Sequence, residues 1–168
     1  MFVEVTKIIL LLLIIIILFT FFPLAFGAPF QSSSNKRTKI ILKFAKIKKG
    51  EKVADLGSGN GKLVIAMAKQ GAEAHGYEVN PILVWWSRRK IKKLGLEKKA
   101  FIHKENFWNS NLKKFDVITI FQIMYVMKKL AKKLEKNSKK EARIISNTWK
   151  FHGKKLIKQE NGVYLYKF

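Results

Sequence analysis

No cysteine occurs anywhere in the chain. That excludes a disulfide framework, a thiolate nucleophile and any metal site built on sulfur. Histidine is nearly as scarce. His75, His103 and His152 are scattered without ligand spacing, so each is read as structural and no metal is expected. Acidic residues are also few: 11 Asp+Glu stand against 34 Lys+Arg, a net charge of +23. Such a balance attracts anionic lipid, nucleic acid or an acidic partner. Yet only four of the basic residues are arginine, and Ile, Phe, Asn and Lys abound, as in chains from AT-rich genomes. Charge alone therefore identifies no partner. The 168 residues leave room for one domain with a core able to fold alone, and no internal repeat is visible.

What the chain does have is the stretch Glu51 to Ala68. A short apolar run, Val53 to Leu56, carries Asp55 near its end, and glycines follow at alternate positions, Gly57, Gly59 and Gly61. Leu63, Val64, Ala66 and Met67 then give a helical apolar face. This is a strand, a tight turn and a helix start. Glycine suits the turn because the backbone must take positive φ and let a ligand approach closely. The dinucleotide fingerprint G-x-G-x-x-G would need a third glycine where Lys62 stands. A carboxylate just ahead of the glycines repels a pyrophosphate but receives an ammonium group, which S-adenosylmethionine carries. The D-x-G-x-G-x-G loop resembles motif I of class I methyltransferases. The plainer alternative is a glycine turn in another α/β protein.

Ile8 to Phe30 contains no charged residue. About 20 residues span a bilayer, so Val3 to Phe26 suffices, with Pro23 near one end. Residues 1–26 are accordingly expected to form a transmembrane anchor with the lipid bilayer as partner. The rival is a cleaved signal peptide ending at Ala25-Phe26-Gly27. Seven basic residues between Lys36 and Lys49 follow the run, against Lys7 before it. That asymmetry predicts a single-pass protein whose domain faces the cytoplasm. Residues 27–50 read as a substrate-side loop and a leading helix over Lys36–Ile47, and residues 51–168 as the cofactor-binding core.

Further along, strands are predicted over Ala72–Tyr77, Ala100–His103, Asp116–Phe121 and Arg143–Asn147. Helices are predicted over Lys62–Gln70, from Asn80-Pro81 to Leu94, and after the fourth strand to Lys136. Trp85 and Trp86 read as packing residues, or as one facing a membrane. Asn161-Gly162 between Lys154–Gln159 and Val163–Phe168 is a hairpin signal. The result is an α/β fold, a mostly parallel Rossmann-like sheet closed by a C-terminal antiparallel hairpin.

Candidate site residues follow from this layout. Asp55, Gly57, Ser58, Gly59 and Gly61 form the cofactor loop; as a turn or cap residue, Asp55 would be merely structural. Glu78 lies 21 residues after Gly57 at the end of the second strand, where an acid binds both ribose hydroxyls or sits as a solvated loop residue. After the third strand, Asn106 can bond an adenine amine and Phe107 can lie against the ring, with plain packing the alternative for Phe107 and Trp108. Phe121, Gln122 and Tyr125, after the fourth strand, can shape an acceptor channel with Pro29 and Phe30 as a lid. Core packing is the alternative for Phe121 and Tyr125.

Taken in order, Gly27-Ala-Pro-Phe30, the block from Asp55 to Ala68, Gly76-Tyr-Glu-Val-Asn-Pro81, Asn106-Phe-Trp108 and Val163-Tyr-Leu-Tyr166 resemble one small family. It is the membrane-anchored protein lysine methyltransferases whose mitochondrial members modify the ATP synthase c-subunit and the ADP/ATP carrier. The resemblance covers nearly the whole chain, including the missing helix between the last strands. It implies a class I fold, S-adenosylmethionine as cofactor and a lysine of a protein at the membrane as acceptor. Many relatives carry Asp where Asn106 stands, and Pro is frequent where this chain has Phe121 to Tyr125. The rival functions are methylation of RNA, methylation of a lipid or quinone, and a non-catalytic cofactor-binding module. Nucleic acid is disfavoured because there is neither an N/D-P-P-Y/F motif for base amines nor a cysteine for carbon methylation.

Overall fold

A computed structural model describes the backbone of residues 2–26 and 33–168, with side chains over 4–16 and 33–168. The chain falls into two compact units, Met1–Phe30 and Gln31–Phe168. In the first, α1 runs from Phe2 to Phe26. The expected single-pass, cytoplasm-facing membrane placement does not hold. Among the described residues no helix is long and apolar enough to cross a membrane. The side chains of α1 include the Glu4–Lys7 ion pair at 2.9 Å.

The second unit opens with α2 (Asn35–Ala45). It then alternates β1 (Lys52–Leu56), α3 (Lys62–Lys69), β2 (Glu73–Glu78), α4 (Pro81–Lys93), β3 (Ala100–Lys104), β4 (Val117–Ile120), α5 (Met127–Asn137) and β5 (Arg143–Asn147), before the hairpin β6 (Leu156–Glu160) and β7 (Val163–Lys167). The sheet order is β3-β2-β1-β4-β5-β7-β6. Its first five strands are parallel, and β7 runs antiparallel to β5 and β6. Sequence-predicted elements lie within two residues of the observed ones at most ends. Ser34 caps α2 by accepting from the Arg37 amide, and Asn80 caps α4 by accepting from Ile82, as short polar side chains do at helix starts.

Strands covered on both faces read as nearly unbroken apolar runs, and β4 is buried throughout. One core cluster joins Ile41, Phe44, Val64, Met67, Val84 and Ile91, from α2, α3 and α4, to Val53, Ala74, Val117 and Ile145 of the sheet. On the opposite face Leu130 and Leu134 of α5 pack with Phe115, Leu112, Leu56, Ile118 and Tyr166. Between β3 and β4 this face is covered by only a short 3-10 turn, Phe107–Asn109, and loop residues.

Beneath that loop lies a polar pair. His75 Nδ1 and His103 Nε2 are 2.9 Å apart, and His75 Nε2 is 3.0 Å from Glu73 Oε1. One tautomer set satisfies both contacts: His75 donates to Glu73 and accepts from His103. Protonating His75 puts a hydrogen on the accepting nitrogen and breaks the pair. Burial, with Lys114 and Lys52 near His75 and Lys114 and Arg88 near His103, holds both imidazoles below the ordinary value; Glu73 and Glu105 oppose this. The unfolded chain therefore takes up protons first as pH falls, so stability is full above about pH 6.5 and declines below it. Urea midpoints measured between pH 7.5 and 5.5 are expected to fall, and the fall should be shallower in His103→Gln, which keeps a donor to His75 without titrating.

Candidate active site

The strand order reverses between β1 and β4, and open α/β sheets bind ligands beyond the carboxyl ends of their strands at such a switch point. Every described candidate residue lies at that edge: the glycine loop after β1, Glu78 ending β2, Asn106 and Phe107 after β3, and Phe121, Gln122 and Tyr125 after β4. Pro29 and Phe30 lie outside the described residues.

Asp55 is the anomaly of β1. It is 6% exposed within a buried strand, on the same face of the sheet as Val53. Register pairs it with Thr119 of β4, whose Oγ1 donates to Asp55 Oδ1 at 2.7 Å and also lies 3.2 Å from the Ala54 carbonyl. Desolvation pushes the Asp55 carboxyl up to about 7; Thr119 lowers it and the Glu78 carboxylate raises it. A cation placed beside this group would favour its charged form.

The loop itself is backbone-built. Gly57, Gly59 and Gly61 all take positive φ, +85°, +52° and +73°. A Cβ on Gly57 would lie 2.4 Å from Gln122 Nε2, and one on Gly61 would press on Ser87 of α4 at 3.0 Å. The Gly57 and Ser58 amides both donate to the Tyr77 carbonyl at 3.0 Å, tying the loop to β2. The Ser87 hydroxyl reaches the Gly59 carbonyl at 3.0 Å.

Glu78 is tied to the same loop. One carboxylate oxygen accepts from the Gly59 amide at 2.9 Å and the other from the Asn80 amide at 2.8 Å. Each oxygen keeps lone-pair capacity for a further donor, the provision that a pair of ribose hydroxyls requires. Asn106 caps the 3-10 turn by accepting from the Trp108 amide at 3.1 Å. Phe107 is buried in the core, its ring 5.0 Å from that of Trp108, so the geometry places it in packing rather than on an open face. Phe121 is half-buried, Gln122 is buried, and Tyr125 is 85% exposed.

Some participants escaped sequence reasoning. Thr119 is found only through strand register. Arg37 of α2 reaches Thr148 Oγ1 at 2.8 Å and Asn147 Oδ1 at 3.3 Å, and the Asn147 amide donates to Ser33 Oγ at 3.0 Å. The Lys62 ammonium donates to the Ser33 carbonyl. These contacts clasp the segment ahead of α2 to the site's edge.

The fit to a ligand follows from the donor set. Two carboxylates flank the loop, and its one adjacent ammonium, Lys62, is already bonded to Ser33. A pyrophosphate finds no cation here, whereas an ammonium and a ribose both find acceptors. Among the described residues, no cluster of three or more His, Cys, Asp or Glu is arranged to hold a metal.

The family model of the ANTKMT methyltransferase domain matches residues 55–158, which contain the whole loop, Glu78 and the β4 edge. The chain belongs to that family. It is 35% identical over 123 residues to the ATP synthase c-subunit lysine N-methyltransferase of Homo sapiens, covering 73% of this chain and 52% of that protein. It is 32% identical over 148 residues to a protein-lysine N-methyltransferase of Saccharolobus islandicus, covering 82% and 92%. The chain thus spans about half the length of the human relative and nearly all of the Saccharolobus one. An RNA methyltransferase from Salinibacter ruber, solved with S-adenosyl-L-homocysteine, superposes with a TM-score of 0.76 at 22% identity, over 82% of this chain and 93% of that one. At that identity the likeness establishes the fold, the class I methyltransferase sheet with its antiparallel hairpin.

Two outcomes test the site. Because the folded Asp55 carboxyl titrates near 7, far above an unfolded aspartate, it costs the ligand-free protein stability as pH rises through that range. Asp55→Asn should raise the melting temperature at pH 8, at about 2–4 °C per kcal/mol for a domain of this size, while weakening binding of S-adenosylhomocysteine. Calorimetry in buffers of different ionisation enthalpy should show proton release on binding to the wild type at pH 7 and none in the variant. Glu78→Ala should weaken the same ligand by about 1.5–3 kcal/mol, the range for a hydrogen bond to a charged group; titration calorimetry reads this directly.

Proposed function

We propose that this protein is an S-adenosylmethionine-dependent methyltransferase whose acceptor is the side-chain amine of a protein lysine. One observation supports the reading most. A buried, uncompensated carboxylate stands beneath a glycine loop with an acid at the next strand end, in a domain of this family. The relatives named as lysine methyltransferases on proteins support the acceptor class.

Bound S-adenosylmethionine would supply a methyl group already activated by its sulfonium. Asp55 would receive the ammonium of its amino-acid end, with Glu78 on the ribose hydroxyls and the glycine backbone along its length. Asn106, after β3, would border the adenine, its turn held by the cap on the Trp108 amide and by Phe107 packed in the core beneath. With the donor fixed, the remaining requirement is alignment of a nucleophile in line with the reacting carbon. A lysine must arrive neutral, which costs about 4–5 kcal/mol at pH 7 for an ordinary amine. Desolvation between apolar walls lowers that cost. Phe121, Met124 and Tyr125, which follow β4 at the edge of the glycine loop, provide such walls; Met124 and Tyr125 are exposed in the free protein.

The decisive assay incubates the protein with methyl-labelled cofactor and a cell extract, then separates protein, RNA and lipid. Label recovered as methyllysine after protein hydrolysis is the expected result. Label in RNA or lipid, or cofactor binding with no transfer, would overturn the reading. Tyr125→Ala should raise the KM for a protein acceptor several-fold and leave cofactor affinity unchanged.

A further inference from the structure

Gln122 is 6% exposed, two residues past the end of β4. Its Nε2 donates to the Leu56 carbonyl at 3.0 Å. A carbonyl only accepts, so the nitrogen end of the amide must face Leu56 and the oxygen end must point away. That oxygen, Oε1, is buried and has no hydrogen-bond partner among the described residues. Leaving a buried acceptor unpaired is costly, about 1–3 kcal/mol, and native interiors rarely do so without a purpose.

The location narrows what the oxygen serves. The amide lies against the α-carbon of Gly57, in the space a Cβ there would fill. It spans from β4 to β1 where the strand order reverses, one residue beyond Asp55–Leu56. The groups open to an incoming macromolecule after β4 are Met124 and Tyr125, not this one. A buried neutral acceptor lodged against Leu56 and Gly57, the residues that directly follow the buried Asp55, is matched to a compact multivalent donor, and an ammonium carries three N–H groups.

We propose that Gln122 Oε1 accepts a hydrogen bond from the α-ammonium of the bound cofactor's amino-acid end. It thereby shares that group with Asp55 and holds the end of the cofactor from which the methyl departs. Gln122 is then a cofactor-positioning residue rather than part of the acceptor's channel. This rests on the cofactor reading given above.

The test pairs one substitution, Gln122→Met, with three ligands: S-adenosylhomocysteine, its deaminated analogue lacking only the α-ammonium, and 5′-methylthioadenosine lacking the whole amino-acid end. Methionine keeps the side chain's length and removes both polar ends. Calorimetry should show S-adenosylhomocysteine bound about ten- to a hundred-fold more weakly by the variant. The deaminated analogue and methylthioadenosine should bind wild type and variant alike, which also shows the variant folded. Equal weakening of all three ligands would reduce Gln122 to a packing role and overturn the proposal. So would unchanged cofactor affinity with a raised acceptor KM, which would put Oε1 on the acceptor amine. A wild type that binds none of the three would overturn the cofactor reading and this inference with it.

Discussion

A carboxylate inside a parallel sheet is the constraint from which the rest of this structure follows. Removing a charge from water is expensive unless something charged or hydrogen-bonding meets it. Asp55 is met by one hydroxyl, that of Thr119, which is too little to keep it fully ionised at neutral pH. Its neighbours accentuate this condition instead of relieving it: Glu78 adds a second negative group, and Lys62, just beyond the glycines, is engaged with Ser33. A positively charged ligand would complete the loop. Glycine positions, strand register and the α4 contact all serve to hold the rim of that site rigid.

The polar contacts of the rim are arranged for geometry more than for energy. The Tyr77 carbonyl receives two loop amides, and the two oxygens of Glu78 each take one amide on either side of a turn. Such contacts fix backbone positions that no side chain could fix as well in a glycine-rich segment. Rigidity has to come from outside the loop, because glycine supplies none itself.

Much of this was legible in the sequence, and what was legible was local. The alternation of glycines after Asp55, the acid at residue 78, the Asn80-Pro81 helix start and the Asn161-Gly162 turn each carry their meaning within a few residues. β5 was predicted with its observed ends. What escaped reading depends on distant pairing. Thr119 is an ordinary strand threonine until register sets it beside Asp55. Arg37 and Asn147 are 110 positions apart. Phe107 presented the same aromatic signal whether it faced a ligand or the core, and only its burial in the core beside Trp108 decided the matter. At the amino end, apolar composition suggested a span, but no helix among the described residues is long and apolar enough to cross a membrane.

One consequence lies in the clasp at Ser33. The backbone there is bonded to the first residue of α3, and its side chain to the last residue of β5. Ser33 is thus held at the rim beside the glycine loop and not at the back of the sheet. Displacing it would be felt first by Lys62, immediately beyond the glycines, and only afterwards by the core. Loss of this clasp therefore disturbs the loop's edge before it disturbs the fold.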